Sequence, residues 1–393
     1  MKENKKILFI EPCYTDYGGY IRAIGLARAL AKNGYIIDLL VSSPRKFDFR
    51  ITKEKINNNI TRYELPRFQL NHFLTGRMPR AIIACFFVLF KRYDIIYAFA
   101  LVQFESNIPF ILARLIGRKT IADWDDYWTD AHIIVPAYNN FLIRGYLKFC
   151  EYTLQKLAKN ATATSEFLLN EYEKIGVKNK IKIINGVYEE QFDLMAREKA
   201  RKELGISEDE KIILTFGNTF FRERTSYLFR VFEKINKLDD SVFLYFNNDP
   251  KKIIQEQAGG EIFDEGMFKN IKNIGYLDRE KLSLYLGAAD CVLFTMGEST
   301  LEKACFPTRL GTFINGEIPV MANNTDTEAC NILKQYECAT IGSDLKDLSN
   351  KIVEFLNNPA EQKIMREKMK KAKRELTWDA QVKSLINFYK QLK

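Results

Sequence analysis

Apolar runs of four to eight residues recur along the whole chain, and the stretches between them carry apolar residues at helical spacing. In the first half the runs are Ile7–Ile10, Ile36–Val41, Ile60–Leu65, Ile95–Ala100, Thr120–Trp124, Ala161–Ser165 and Ile181–Ile184. In the second they are Ile212–Phe216, Val242–Phe246, Ile271–Tyr276, Cys291–Thr295, Pro319–Ala322 and Ala339–Ile341. Short β-branched runs with little polar alternation predict strands buried on both faces, and helices between them predict βαβ units and parallel sheets. Two such series predict an α/β protein of two doubly wound, Rossmann-like domains. A polar helix over Gln191–Leu204 follows the turn Ile184–Val187 and separates the series. The last segment, Thr377–Lys393, sets Trp378, Val382, Leu385, Ile386 and Tyr389 on one helical stripe.

The length of 393 residues suits two cores of about 150–200 residues each. Charge divides unevenly: residues 1–190 hold 28 basic and 19 acidic residues, whereas residues 191–393 hold 31 of each. The surplus of nine positive charges therefore belongs to one half and marks a face or partner of that half. The longest apolar run, Ala81–Phe90, is half the length of a membrane span, about 20 residues. The opening MKENKKILFIEP does not read as a secretory signal. Seven cysteines without a CxxC pair read as reduced thiols of a cytoplasmic protein, and the two histidines, His72 and His132, argue against a His-based triad or metal site.

Four stretches could carry chemistry. Asp16–Tyr17–Gly18–Gly19–Tyr20 joins the first strand to a helix, and paired glycines there let backbone N–H groups approach a phosphate. A plain strand-to-helix turn is the other reading, and GxGxxG is absent. Asp123–Trp124–Asp125–Asp126–Tyr127–Trp128 places three carboxylates and two indoles at a strand end, which suits sugar hydroxyls; a solvated loop and a DxD metal site are the alternatives. Phe216–Gly217–Asn218 ends the first strand of the second series and precedes Arg222, Glu223 and Arg224, a second anion site or a surface charge cluster. Gly297 to Val320 contains Glu298, Glu302, Lys303 and then PTRLGTF, where Pro307–Thr308 starts a helix beside Lys303 and Arg309. That last stretch reads equally as a helix–strand connection.

Taken in order, these stretches resemble the group 1 glycosyltransferases of glycosyltransferase family 4. The resemblance rests on YGGYIRAIGLARALAKNGYIIDLLV, TIADWDDYW, ATATSEFLL, IINGVYEEQF, GYLDREKLSLYLGAADCVLF and the terminal Trp378 helix, and covers nearly the whole chain. It implies the GT-B architecture, two Rossmann-like domains facing across a cleft, with the last helix crossing back to the first. The expected division is an acceptor-side domain over residues 1–188 plus 377–393, and a donor domain over 189–376. Gly18 and Gly19, Arg222 or Arg224, Lys303, Thr308, Arg309 and Thr312 would bind the donor. Asp123 and Asp125 would be catalytic or orient the sugar, with Asp126 and Trp128 toward the acceptor. PTRLGTFINGEIPV aligns without a gap to the family pattern P-[ST]-K-x-x-E-Y-L-A-x-G-x-P-V. Thr312 then replaces a ribose-binding glutamate, Ala304 its partner glutamate, and Glu317 a glycine, with Gly316 one residue early.

The resemblance implies transfer of a sugar from a nucleotide-diphosphate sugar to an acceptor hydroxyl, with retention and with neither metal nor cofactor. The acceptor would be a glycan or lipid-linked saccharide of a cell-surface polysaccharide pathway. The expected location is cytoplasmic, with Ala81–Phe90 and its flanks Arg77, Arg80, Lys91 and Arg92 against an anionic membrane; a helix buried in the Rossmann layer is the alternative. No nucleic-acid motif appears. Two rivals stand beside this reading, a GT-B nucleotide-sugar 2-epimerase and a catalytically degenerate partner subunit, and Thr312 favours the second.

Overall fold

Each of these apolar runs becomes a strand in the computed structural model, which describes residues 5–15, 17–68, 76–133, 135–187, 195–217, 222–258 and 261–392. Asp16, His72 and Asn218 and the start of the Gln191–Leu204 segment lie outside the described residues. The chain divides into two units, one of residues 1–186, 303–306 and 378–393, the other of residues 187–302 and 307–377.

The strands of the first unit are β1 (Lys6–Ile10), β2 (Ile36–Ser42), β3 (Phe47–Asp48), β4 (Thr52–Asn57), β5 (Ile60–Leu65), β6 (Arg67–Phe68), β7 (Ile95–Phe99), β8 (Thr120–Trp124), β9 (Asn160–Ala163) and β10 (Asn179–Lys182). Its sheet runs β10-β9-β8-β7-β1-β2-β5-β4, parallel except for the β4–β5 hairpin, while β3 and β6 form a separate antiparallel ribbon. The order reverses between β1 and β7, so their C-terminal ends flank the crevice where such sheets take ligands. Helices α1 (Gly18–Lys32), α2 (Arg77–Phe90), α3 (Phe104–Leu115), α4 (Phe141–Phe149) and α5 (Glu166–Lys174) connect them.

In the second unit β11 (Lys211–Thr215), β12 (Val242–Phe246), β13 (Ile271–Asn273), β14 (Cys291–Phe294), β15 (Val320–Asn323) and β16 (Ala339–Gly342) make an all-parallel sheet of order β13-β12-β11-β14-β15-β16. Its switch point lies between β11 and β14. The helices are α6 (Arg197–Leu204), α7 (Arg222–Leu238), α8 (Pro250–Gln257), α9 (Arg279–Ala288), α10 (Thr300–Ala304), α11 (Thr308–Asn315), α12 (Glu328–Gln335), α13 (Leu345–Leu356) and α14 (Pro359–Glu375). The core packs Phe229, Phe232 and Ile235 of α7 against Leu244 and Phe246 of β12 and against Leu348, Ile352 and Phe355 of α13.

The final helix, α15 (Trp378–Lys390), belongs to the first unit and packs on α1. It buries Trp378, Val382, Leu385, Phe388 and Tyr389, and the Trp378 indole fills the space that a side chain at Gly25 or Gly186 would occupy.

Helix α2 is neither fully buried nor fully solvated. Ala81, Ala84 and Val88 pack inward at i, i+3 and i+7, whereas Met78, Ile82, Phe86, Leu89 and Phe90 are exposed. Arg80, expected among its basic flanks, is instead buried, and its guanidinium pairs with Glu105 at 2.6 Å. The side chain is long enough to turn inward and exchange water for a carboxylate and the Pro66 carbonyl.

Candidate functional site

In the first unit the Gly18–Gly19 turn and the Asp123 loop are tied together by an ion pair. Arg22, one turn into α1, donates through Nε to Asp123 Oδ2 at 2.7 Å and through Nη2 to Oδ1 at 2.8 Å. Tyr97 and Thr162 also donate to Oδ1. Asp123 is wholly buried and both its oxygens are committed. It therefore holds the β8 end against α1. The physical reason is enclosure: the guanidinium fork and the Tyr97 and Thr162 hydroxyls supply the donors around this buried carboxylate.

Beyond β8 the backbone turns outward. Asp125 is half-buried and Asp126 exposed. Burial first, then the carboxylates of Asp126, Asp123 and Glu11, push the Asp125 carboxyl well above the usual carboxylate range. The loop is clamped from behind by Glu151, which accepts the amides of Trp128 (2.5 Å) and Thr129 (2.6 Å), the Thr129 hydroxyl and the Trp124 indole N–H. Glu151 is 1% exposed and sits in a π-helical turn, Cys150–Leu154, that follows α4. Its carboxyl is pushed up to about 7 by burial, against the four hydrogen bonds that favour its ionised form. Trp128 is thus positioned through its own backbone.

Glu11, the first residue after β1, is 2% exposed and lies directly under the Gly18–Gly19 turn. A Cβ at Gly19 would stand 2.9 Å from Glu11 Oε1, so the close approach requires glycine. Burial pushes this carboxyl up to about 7 as well, despite the Cys13 amide it accepts at 2.8 Å. Pattern reading missed Glu11, Arg22 and Glu151. The visible signals were a charge closing an apolar strand and an arginine inside an apolar helix; Glu151 had none.

In the second unit the third and fourth stretches converge. Arg309, in the first turn of α11, donates from Nη1 to the Phe216 carbonyl at 3.3 Å, at the C-terminal end of β11. Its guanidinium lies 5.1 Å from the Phe294 ring centroid, and its side chain packs on Gly217, whose φ of +102° only glycine adopts without strain. Phe313 of α11 packs edge-on against both Phe216 and Phe294. Thr308 is exposed and Thr312 half-buried on the same helix. Arg222 opens α7 and is exposed. Arg224 is buried and its guanidinium pairs with Glu302, so of the two arginines Arg222 is the one presented to solvent. Glu302, an acid of the fourth stretch, is taken up by that pair. Lys303 and the three residues after it fall with the first unit, where Asn185 Nδ2 donates to the Phe306 carbonyl at 2.8 Å.

A cavity of about 800 Å³ opens at the C-terminal ends of β14, β15 and β16. Gly297, Glu298, Asn323, Thr325, Ser343 and Lys346 are among its lining residues. Among the described residues no group of three or more His, Cys, Asp or Glu is disposed to hold a metal ion, and no helix is long and apolar enough to cross a membrane.

Residues 196–376 match the family model of glycosyl transferases group 1. No curated protein matches the chain. Solved structures similar over nearly the whole length include sucrose-phosphate synthase from Thermosynechococcus elongatus, with TM-score 0.71, 15% identity and 98% of each chain covered. WaaG, a glycosyltransferase involved in lipopolysaccharide biosynthesis, gives 0.66 at 12% identity, again with 98% of each chain covered. Anabaena Alr3699/HepE in complex with UDP and glucose gives 0.66 at 14% identity, covering 99% of this chain and all of that one. At these identities the likeness is one of fold.

Proposed function

We propose that this chain, whose residues 196–376 match the group 1 glycosyl transferase model and whose fold is the GT-B one, is a glycosyltransferase that moves a hexosyl group from a nucleotide-diphosphate sugar to an acceptor hydroxyl. The observation that carries the reading is Arg309 fixed across Gly217 and Phe216 at the β11 end, beside the β11–β14 switch point. Glycosyl transfer needs charge stabilised on the leaving diphosphate as the glycosidic bond breaks, and cations already held in place supply that without reorganisation. Each unit offers its own proposed diphosphate ligands: Arg309, Arg222 and the Thr308 hydroxyl in the second, Lys303 and the Gly18–Gly19 amides in the first. The chemistry proposed is retaining and independent of metal or cofactor.

Thr312 takes the ribose, with one hydroxyl where a carboxylate would accept from two. Glu298, exposed on the cavity wall, is the acid that remains available for sugar or ribose hydroxyls. Asp125, Asp126 and Trp128 orient the acceptor, and Asp123 and Arg224 act as positioning residues through Arg22 and Glu302. The acceptor side is read as a glycan or lipid-linked saccharide at an anionic membrane surface on the cytoplasmic side. The exposed stripe of α2 and the basic first half support that reading.

A thermal-shift panel of UDP-, GDP-, ADP-, CMP- and dTDP-sugars tests the proposal. A donor at about 100 times its Kd adds about 2.7 kcal/mol of stability. Nucleotide release that depends on added acceptor is the expected outcome. Donor conversion without acceptor would indicate a 2-epimerase, and no shift with any donor would indicate a degenerate subunit.

A further inference from the structure

Helix α1 begins without help. Among the described residues no side chain caps it, Tyr17 occupies the cap position, and its first turn contains no acidic residue. The N–H groups of Gly18, Gly19 and Tyr20 therefore have no acceptor within the helix. Against this turn lies a carboxyl group that the proposed chemistry leaves unused. Glu11 is 2% exposed; Oε1 accepts the Cys13 amide, and Oε2 is buried with no hydrogen-bond partner among the described residues. A Cβ at Gly19 would stand 2.9 Å from Oε1 and 3.2 Å from the carboxyl carbon, so the carboxyl group lies against the turn.

Ionised, that carboxylate repels an anion. Protonated, it carries no charge to repel one. We propose that Glu11 is a proton-carrying neighbour of the donor: when a nucleotide-sugar diphosphate seats on the first turn of α1, a proton is taken up on the Glu11 carboxyl. The inference rests on the reading that the donor's diphosphate meets the Gly18–Gly19 turn. The groups facing Glu11 are Cys13 on its own loop, Arg22 on α1, Asp123 at the end of β8 and Asp125 just beyond it. Arg22 does not neutralise it, because both Asp123 oxygens already occupy that guanidinium. The carboxyl's position near 7, set mainly by burial, puts the acid form within reach at neutral pH.

Calorimetric titration of the full chain with UDP-glucose, GDP-mannose and ADP-glucose tests this, because their diphosphate diesters do not titrate near neutral pH. At pH 7.8, in two buffers of different ionisation enthalpy, wild type should take up close to one proton per donor bound. Affinity should fall by up to tenfold per pH unit above about 7.5. Glu11→Gln carries no charge and should bind with no uptake and a flat pH profile, whereas Asp125→Asn should keep the uptake. Binding without uptake by wild type overturns the proposal and leaves the donor reading standing, as does uptake that persists in Glu11→Gln or vanishes in Asp125→Asn. No binding of any of the three donors overturns both. Should Glu11→Gln fail to fold, the wild-type and Asp125→Asn titrations decide.

Discussion

Two buried carboxylates beside helix α1, Asp123 and Glu11, have different partners, and so different consequences. Asp123 is enclosed by a guanidinium fork and two hydroxyls, and removing either partner of such a pair costs roughly 3–5 kcal/mol, because a charge is left buried alone. Glu11 has one amide for two oxygens, and burial raises it from 4.5 to about 7. A carboxyl raised on folding holds its proton in the native state after the unfolded chain has lost it. Between pH 4.5 and about 7 stability therefore falls as pH rises, and above 7 the whole penalty is present. Glu11→Gln removes that titration. Relative to wild type the variant should gain up to roughly 3 kcal/mol between pH 4.5 and 8, because each tenfold change in proton affinity is worth about 1.4 kcal/mol. Urea midpoints of both proteins at the two pH values measure it. Glu151 is raised in the same direction and remains in both proteins, so it drops out of the difference. An unchanged difference would mean that Glu11 is solvated.

At the scale of elements, the strands were legible because both their faces are buried, and an unbroken β-branched run has few other destinations. Strand β4 was not legible. It is the outer edge of its sheet, with Lys53, Glu54 and Lys55 all exposed, and charge on an edge strand erases the apolar pattern while protecting the edge. The candidate site divides in the same way. Glycines and arginines at strand ends could be read locally, but Arg22 meets Asp123 across 101 residues of sequence, and Glu151 meets the loop it holds across more than 20. Helix α11 shows the opposite case. The ungapped alignment put Glu317 in a glycine's place, and Glu317 has φ of +49°, a left-handed conformation just past the helix end. A side chain costs roughly 1–2 kcal/mol there. The Lys373–Glu317 contact at 3.1 Å returns part of this, as partly exposed pairs contribute about 0–1 kcal/mol. Glu317→Gly should therefore stabilise the protein by about 1 kcal/mol, seen as a higher urea midpoint. A lower midpoint would show that the lysine contact outweighs the strain.

For the whole molecule, the net charge of +9 is a property of residues 1–190, and the exposed apolar stripe of α2 lies in the same half. Arg92 is exposed at the end of that helix, and Lys91 stacks 4.1 Å from the Phe87 ring centroid. Each basic residue near an anionic bilayer adds about 1 kcal/mol, and burying an apolar side chain of this size adds about 1.5–3 kcal/mol. If the stripe meets lipid, the full chain should bind vesicles containing anionic lipid and leave neutral ones largely alone. Binding should weaken from 50 to 300 mM salt as the Debye length shortens. Ile82→Asp/Phe86→Asp replaces two side chains that are more than half exposed, so folding should be little affected, while vesicle binding should drop at least tenfold. Ile262→Asp, at an 88% exposed position in the other half, is the control that should change nothing. Loss of binding in the double variant with Ile262→Asp unchanged would assign the membrane face to α2. Equal loss in both would reduce the effect to added negative charge, and binding that survives in both would place the lipid contact elsewhere on the basic half.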